Sequence, residues 1–187
     1  MARRLERAAR AARLDADAAR IGRLFRAVLD RRATGFDDPH HPDYLHPART
    51  ALILLEDVRR HDPDLTLAAT AIDTERPDLD LPLDEVEREA GARAAAIVDA
   101  IRGGPPPDAE RLEWLVQLEN DALLVALAER LDHARHLHLA PADRWPGFHR
   151  RFAEADLLAA SRSDERLAWR MQRWHDSFAR RFLDRNR

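Results

Sequence analysis

RLEWLVQLENDALLVALAERLDHARHL, residues 111–137, is the stretch on which the fold reading turns. Trp114, Leu115 and Leu118, then Leu123, Leu124, Leu127 and Leu131, recur every three or four positions, the period of a helix with one buried face. The pattern predicts the longest helical region of the chain. It is capped by Asp108, runs to about Leu139 and bends near Asn120.

The same period extends outward in both directions. Upstream, Ile21, Leu24, Phe25, Val28 and Leu29 form an apolar stripe that ends at the loop Gly35–Tyr44 with Pro39 and Pro42. Pro47 starts a helix carrying Ala51, Leu52, Leu55 and Val58, and Asp62-Pro63-Asp64 breaks and restarts the chain. Leu65, Leu67, Ala68, Ala69, Ala71 and Ile72 read as a core helix, and Pro77 to Pro82 as a turn-rich loop. Helices are predicted over Leu83–Ala90, ended by Gly91, and over Ala92–Arg102, stopped by the Gly103-Gly104-Pro105-Pro106-Pro107 linker. Downstream, Trp145, Phe148, Phe152, Leu157 and Leu158 mark one amphipathic segment. Leu167, Trp169, Met171, Trp174, Phe178 and Phe182 mark another. No β-alternation of useful length occurs. The predicted fold is all-α.

Composition removes whole classes of chemistry. The 187 residues include no Cys, so there is no thiolate nucleophile, disulfide or Cys-ligated metal. All 31 basic residues are Arg, which excludes Schiff-base lysines and the P-loop lysine. Only Ser161, Ser163 and Ser177 carry a serine hydroxyl, none on a nucleophile elbow, and no G-x-G-x-x-G is present. No apolar run reaches the roughly 18–20 residues of a membrane span, and Met1–Leu14 lacks the apolar region of a secretory signal. A cytoplasmic protein is expected, with no membrane partner.

Charge is unevenly spread. Residues 1–33 carry ten Arg against four acidic residues, a local charge of +6, while the rest of the chain carries −9. This sets apart a basic N-terminal helix or arm (1–33) from a single helical domain (34–187). With no aromatic among the first twenty residues, nucleic-acid binding is disfavoured, and the arm reads as a solvated helix whose Arg stems cover apolar surface.

Histidine is the richest chemical material left. His40, His41 and His46 cluster, as do His133, His136 and His138. Imidazole combined with carboxylates is what a divalent-metal site on an all-α scaffold would use.

The order of these segments narrows the reading. Tyr44-Leu45-His46-Pro47 and the Ala/Leu/Ile-rich helix after it resemble the opening of the RelA/SpoT-type HD phosphohydrolases. Leu67-Ala68-Ala69-Thr70-Ala71-Ile72 is similar to the apolar run before that family's His-Asp dyad. Leu83–Gly91 with Ile97-Val98-Asp99 resembles its acidic helix, glycine and next helix. Leu127-Ala128-Glu129-Arg130-Leu131-Asp132-His133 is similar to its Leu-Ala-Asp-Arg-Leu-His-Asn segment. Together the segments cover about residues 40–140, and the resemblance implies an HD-domain-like helical bundle.

In that family the His of the His-Pro step, the dyad and a later Asp hold one divalent metal, and a Glu-Asp pair supports attack of water on a phosphoester. Carried over residue by residue, the resemblance implies His46, Asp73 and Glu129 as metal ligands and Asp78 as the catalytic residue that orients or deprotonates water. The match is eroded: Asp73-Thr74 stand at the dyad, Pro77-Asp78 at the Glu-Asp pair, and Glu129 at the later Asp. One nitrogen and two carboxylates still suit Mn, Fe, Zn or Mg. Glu129 and His133 are spaced i, i+4, so a rearranged site that includes His133 is conceivable. The bland alternative makes Asp73 a helix cap and pairs Glu129 with Arg130 or Arg135 on the surface.

Two functions follow as expectations. One is a metal-dependent phosphohydrolase relative acting on a nucleotide or a guanosine-tetraphosphate-like pyrophosphate. The acidic Asp37-Asp38 stretch, standing where the family has a basic guanosine-contacting segment, disfavours a highly charged phosphate ligand. The other is a catalytically inactive helical module that binds a partner or small ligand. Trp169, Trp174, Phe178 and Phe182 would form a homodimer surface on the last helix if that face is exposed.

Overall fold

The computed structural model describes residues 1–36, 41–105 and 110–183, and among these every regular element is helical. The sequence readings of Asp37, Asp38, Pro39, His40, Pro106, Pro107 and Asp108 fall outside the described residues.

Helices α1 (Ala2–Ala11) and α2 (Asp15–Arg32) form an antiparallel pair joined at Arg13, whose φ of 63° lets the chain reverse. Leu5 and Ala9 on α1 face Ala18, Ile21, Leu24, Phe25 and Val28 on α2, and all are buried. Apart from Arg32, which is buried, the basic segment keeps its Arg side chains exposed or partly exposed and contributes its apolar stripe to the same core as the rest of the chain.

After a 3-10 turn at Pro42–Leu45, α3 (His46–Leu52) begins with Pro47 in its first turn, where a missing N–H costs nothing. It continues as a π-turn over Ile53–Val58. Asp62 then accepts hydrogen bonds from the amides of Asp64 and Leu65 and starts α4 (Pro63–Thr70). Every residue of α4 from Leu65 to Thr70 is buried, as expected of a helix whose apolar residues leave no polar face.

Helices α5 (Leu83–Ala90) and α6 (Ala92–Arg102) meet at Gly91, whose φ of 84° lies in the region that favours glycine. The long predicted helix is two: α7 (Arg111–Gln117) and α8 (Asn120–His136). The bend expected near Asn120 is a full break, because Leu118 and Glu119 are extended. Helix α8 is buried from Ala122 to Ala134 and packs against α3, α4 and α6. It is the central post of the bundle.

Helix α9 (Trp145–Arg151) runs through a π-turn at Phe152–Leu157 into α10 (Leu158–Ala160), and α11 (Glu165–Phe178) closes the molecule against α8. The aromatic residues of this layer largely pack inward. Trp174 and Phe178 meet Phe148, Phe152 and Trp145, Phe182 packs on Trp145 and Phe178, and Trp169 stays half exposed at 52%. No helix among the described residues is long and apolar enough to cross a membrane.

Candidate metal centre

Three elements deliver the site. His46 is the first residue of α3, Asp73 and Thr74 follow the end of α4, and Glu129, Asp132 and His133 lie on one stretch of α8. Their convergence follows from the packing of α3 and α4 on α8.

One donor atom from each of His46, Asp73, Glu129 and His133 lies within 4.8 Å of every other, and all four residues are buried. The three ligands implied by the resemblance therefore meet, with His133 as a fourth. Glu129 is not the surface partner of Arg130 or Arg135 that the bland alternative describes: it is fully buried. Asp73 does cap locally, since Oδ1 accepts the amides of Glu75 and Arg76 at 3.1 Å. The same oxygen sits 3.5 Å from His133 Nε2, so capping and site membership coexist.

Each donor is oriented by a second group. His46 Nδ1 donates to Asp132 Oδ2 at 2.7 Å, and Arg49 holds the same carboxylate with a 2.8 Å contact from Nη2. A carboxylate behind Nδ1 fixes the tautomer that presents Nε2 as a lone pair to the site. His46 Nε2 is buried without a hydrogen-bond partner, 3.7 Å from Glu129 Oε1. Thr74 donates to Glu129 Oε1 from its amide (3.0 Å) and its hydroxyl (2.7 Å), and His133 Nε2 approaches the same oxygen at 2.9 Å. Thr74 is thus a positioner of Glu129 rather than the weak ligand its place at the dyad implies. Glu129 Oε2 is buried with no partner. Two unsatisfied donor atoms, one imidazole nitrogen and one carboxylate oxygen, are the local chemistry a divalent cation fits.

Asp78 lies elsewhere. Its side chain is 62% exposed and forks onto Arg76, at 3.1 Å to Nε and 3.0 Å to Nη2. The structure brings the three implied ligands together and leaves this implied catalytic residue outside the group.

The cluster also contains an arginine with no counterpart in the sequence reading. Arg32 Nη2 donates to Asp73 Oδ2 at 2.7 Å, and the side chain is fully buried. The signal was present: Phe25, Val28 and Arg32 share the three–four spacing of the apolar face of α2. A charge on such a stripe announces a buried partner, but its identity is not local.

Proton affinities follow from these contacts. Burial would raise Asp73 and Glu129, yet His46, His133 and, for Asp73, Arg32 hold both carboxyls well below the usual range. Burial likewise opposes the ionised Asp132, but His46 and Arg49 bring it down to about 2. Burial disfavours charge on His133 and His46, whose rings stack at 4.0 Å, and the surrounding carboxylates outweigh it. Without metal the imidazole pair holds protons more firmly than free histidine.

The signs combine into one expected pH profile for metal-free protein. The depressed carboxyls contribute stability above their unfolded values near 4, and that contribution fades as pH falls through the folded values. The raised histidines contribute fully below about 6.5 and lose that contribution as pH climbs through their folded values. Asp80, pushed up to about 7 by burial against the pull of Arg102, costs stability progressively between about pH 4 and 7 and adds to the decline on the acid side of neutrality. Thermal unfolding in chelator should therefore peak on the acid side of neutrality. A maximum at alkaline pH would contradict the assignment.

Two clefts reach the cluster. One, of about 860 Å³, touches Thr74, Glu75 and His133 and is lined by Arg130, Arg144 and Arg151. The other, about 650 Å³, touches Asp73 and Thr74 and has Trp114 and Ile72 in its wall.

The chain matches no protein-family model, no curated protein and no solved structure.

The HD-type resemblance accordingly rests on the four sequence segments that carry it.

Proposed function

We propose that the protein is a divalent-metal phosphohydrolase related to the HD type, acting on a nucleotide or another phosphate ester or pyrophosphate. The observation that carries this reading is the buried quartet His46, Asp73, Glu129 and His133, whose His133 lines a cleft shared with Arg130, Arg144 and Arg151. His46 Nε2, His133, Asp73 and Glu129 would hold the ion. When bound, a divalent ion lowers the pKa of water and offsets charge on a phosphate.

The remaining work belongs to the chain. Asp132 keeps the His46 lone pair directed inward, and Thr74 fixes the rotamer of Glu129. Glu75, 41% exposed, reaches from the cleft to His133 Nδ1 at 3.6 Å and is steadied by Arg130 at 3.1 Å. It is the cleft-facing carboxylate placed to move a proton beside the quartet. Arg130, Arg144 and Arg151, set among Asp43, Glu75 and Asp143, bring to the cleft the fork geometry that would suit phosphate oxygens.

The test is elemental mass spectrometry for Mn, Fe, Zn and Mg on the purified protein, with phosphate release from guanosine tetraphosphate and common nucleoside triphosphates in added Mn²⁺. The expected result is about one ion per chain and turnover above a no-enzyme control. Because the imidazoles must shed protons to coordinate, affinity should rise with pH from about 6 to 8.

A second reading has its own observation. Arg32 already sits on Asp73, and on this reading the quartet is a self-balanced ionic core in a catalytically inactive module. No metal and no turnover would leave that reading standing.

A further inference from the structure

We propose that Arg32 is the resident cation of this site: its guanidinium supplies in the metal-free protein the charge that a divalent ion supplies when bound, and it thereby sets how tightly that ion is held. The inference rests on the metal reading above and concerns its regulation.

Arg32 ends α2 and is completely buried. One nitrogen, Nη2, makes both of its bonds, to Asp73 Oδ2 at 2.7 Å and to the backbone carbonyl of Asp43 at 2.6 Å. Nε and Nη1 are buried with no hydrogen-bond partner, and the nearest aromatic support is Phe36, 5.3 Å away. A guanidinium placed only for stability uses its several donors, because unpaired buried N–H groups are costly. Here one contact with Asp73 dominates, which fits a group whose task is to balance that carboxylate.

Counting charge gives the same answer. Around the quartet, Asp73, Glu129 and Asp132 face Arg32 and Arg49, with the pairs Glu75–Arg130, Asp156–Arg111 and Arg76–Asp78 at its margins. Three carboxylates and two guanidiniums together carry a net charge of −1. A divalent ion with both imidazoles neutral overshoots by one. Without Arg32 the same ion leaves the group neutral. Both oxygens of Asp73 are engaged, by Arg32 on one side and by two amides on the other, so an incoming ion must share this ligand. Arg32 therefore favours the metal-free fold and weakens the ion.

The test is Arg32→Gln, with Arg32→Met as the apolar counterpart, titrated with Mn²⁺ against a competing chelating indicator and melted with and without the ion. Mn²⁺ should raise the melting temperature of wild-type protein less than it raises that of the variants. The variants should bind Mn²⁺ at least about tenfold more tightly, and their melting should depend strongly on it. Folded variants with unchanged or weaker affinity, beside a wild type that binds, overturn the role of Arg32 and leave the metal reading intact. Binding by the variants alone supports the role and makes wild type the inactive module. No binding by any of the three proteins removes the metal reading and this inference with it. If neither variant folds in chelator, recovery of helical circular dichroism on adding Mn²⁺ supports the role, and failure to recover overturns it.

Discussion

Asp156→Ala should lower the unfolding free energy by about 3–5 kcal/mol. Asp156 is fully buried in the π-turn after α9 and joins two helices through one carboxylate. It accepts from Arg111 Nε of α7 at 2.7 Å and from Arg130 Nε of α8 at 3.4 Å. Arg130 is enclosed further by the Phe148 ring, 4.0 Å from its guanidinium carbon. Burial already disfavours its charge, and Asp156 is foremost among the carboxylates that restore it. Alanine would leave Arg111 with no anion among its described ion pairs and Arg130 with the half-exposed Glu75. Both guanidiniums are nearly buried, so water replaces the lost anion only in part. Urea unfolding with an unchanged m-value is the measurement. Asp156→Asn, which keeps an acceptor, should lose less, and a loss below about 1 kcal/mol for alanine would show that water reaches the site.

Glu129→Gln should weaken metal binding by at least about a hundredfold, to the point where the ion is lost on dialysis. The substitution preserves shape and removes one negative charge from a quartet that has only two carboxylates. It also sets an amide against donors that already saturate that position, the Thr74 N–H and hydroxyl. The amide must turn its oxygen to them and offer its NH₂ group inward, where no cation can use it. Asp78→Asn is the matched control. Its side chain is exposed and its partner is Arg76, so metal content should not change. If both variants lose the ion, Asp78 belongs to the site after all. If neither does, the ion is held elsewhere or not at all.

Much of the candidate site was legible because its signals are local. His46 precedes a proline that starts a helix, Asp73 follows an apolar run, and Glu129 and His133 share a face at i, i+4. Spacing can say that two groups look the same way. It cannot say what they look at. Asp132 is one position from His133, yet its role depends on His46 and Arg49, more than eighty residues earlier. Thr74 resembled a degraded ligand until its hydroxyl was seen on Glu129. Asp78 stands at the family's Glu-Asp pair by the resemblance, but the turn after Arg76 carries it into solvent and onto that arginine.

The sequence by itself determined the helical class and most helix ends, because these depend on neighbours a few residues apart: Pro47, the Asp62 cap, the positive φ at Gly91, and the three–four apolar spacing. Tertiary structure alone decided which charged groups would be buried together. Arg32 stands among ten arginines of one basic segment, and composition treats them alike. Only the packing of α2 against α4, with α3 and α4 on α8, selects this one to share Asp73, because burial and charge pairing are properties of faces brought together from distant parts of the chain.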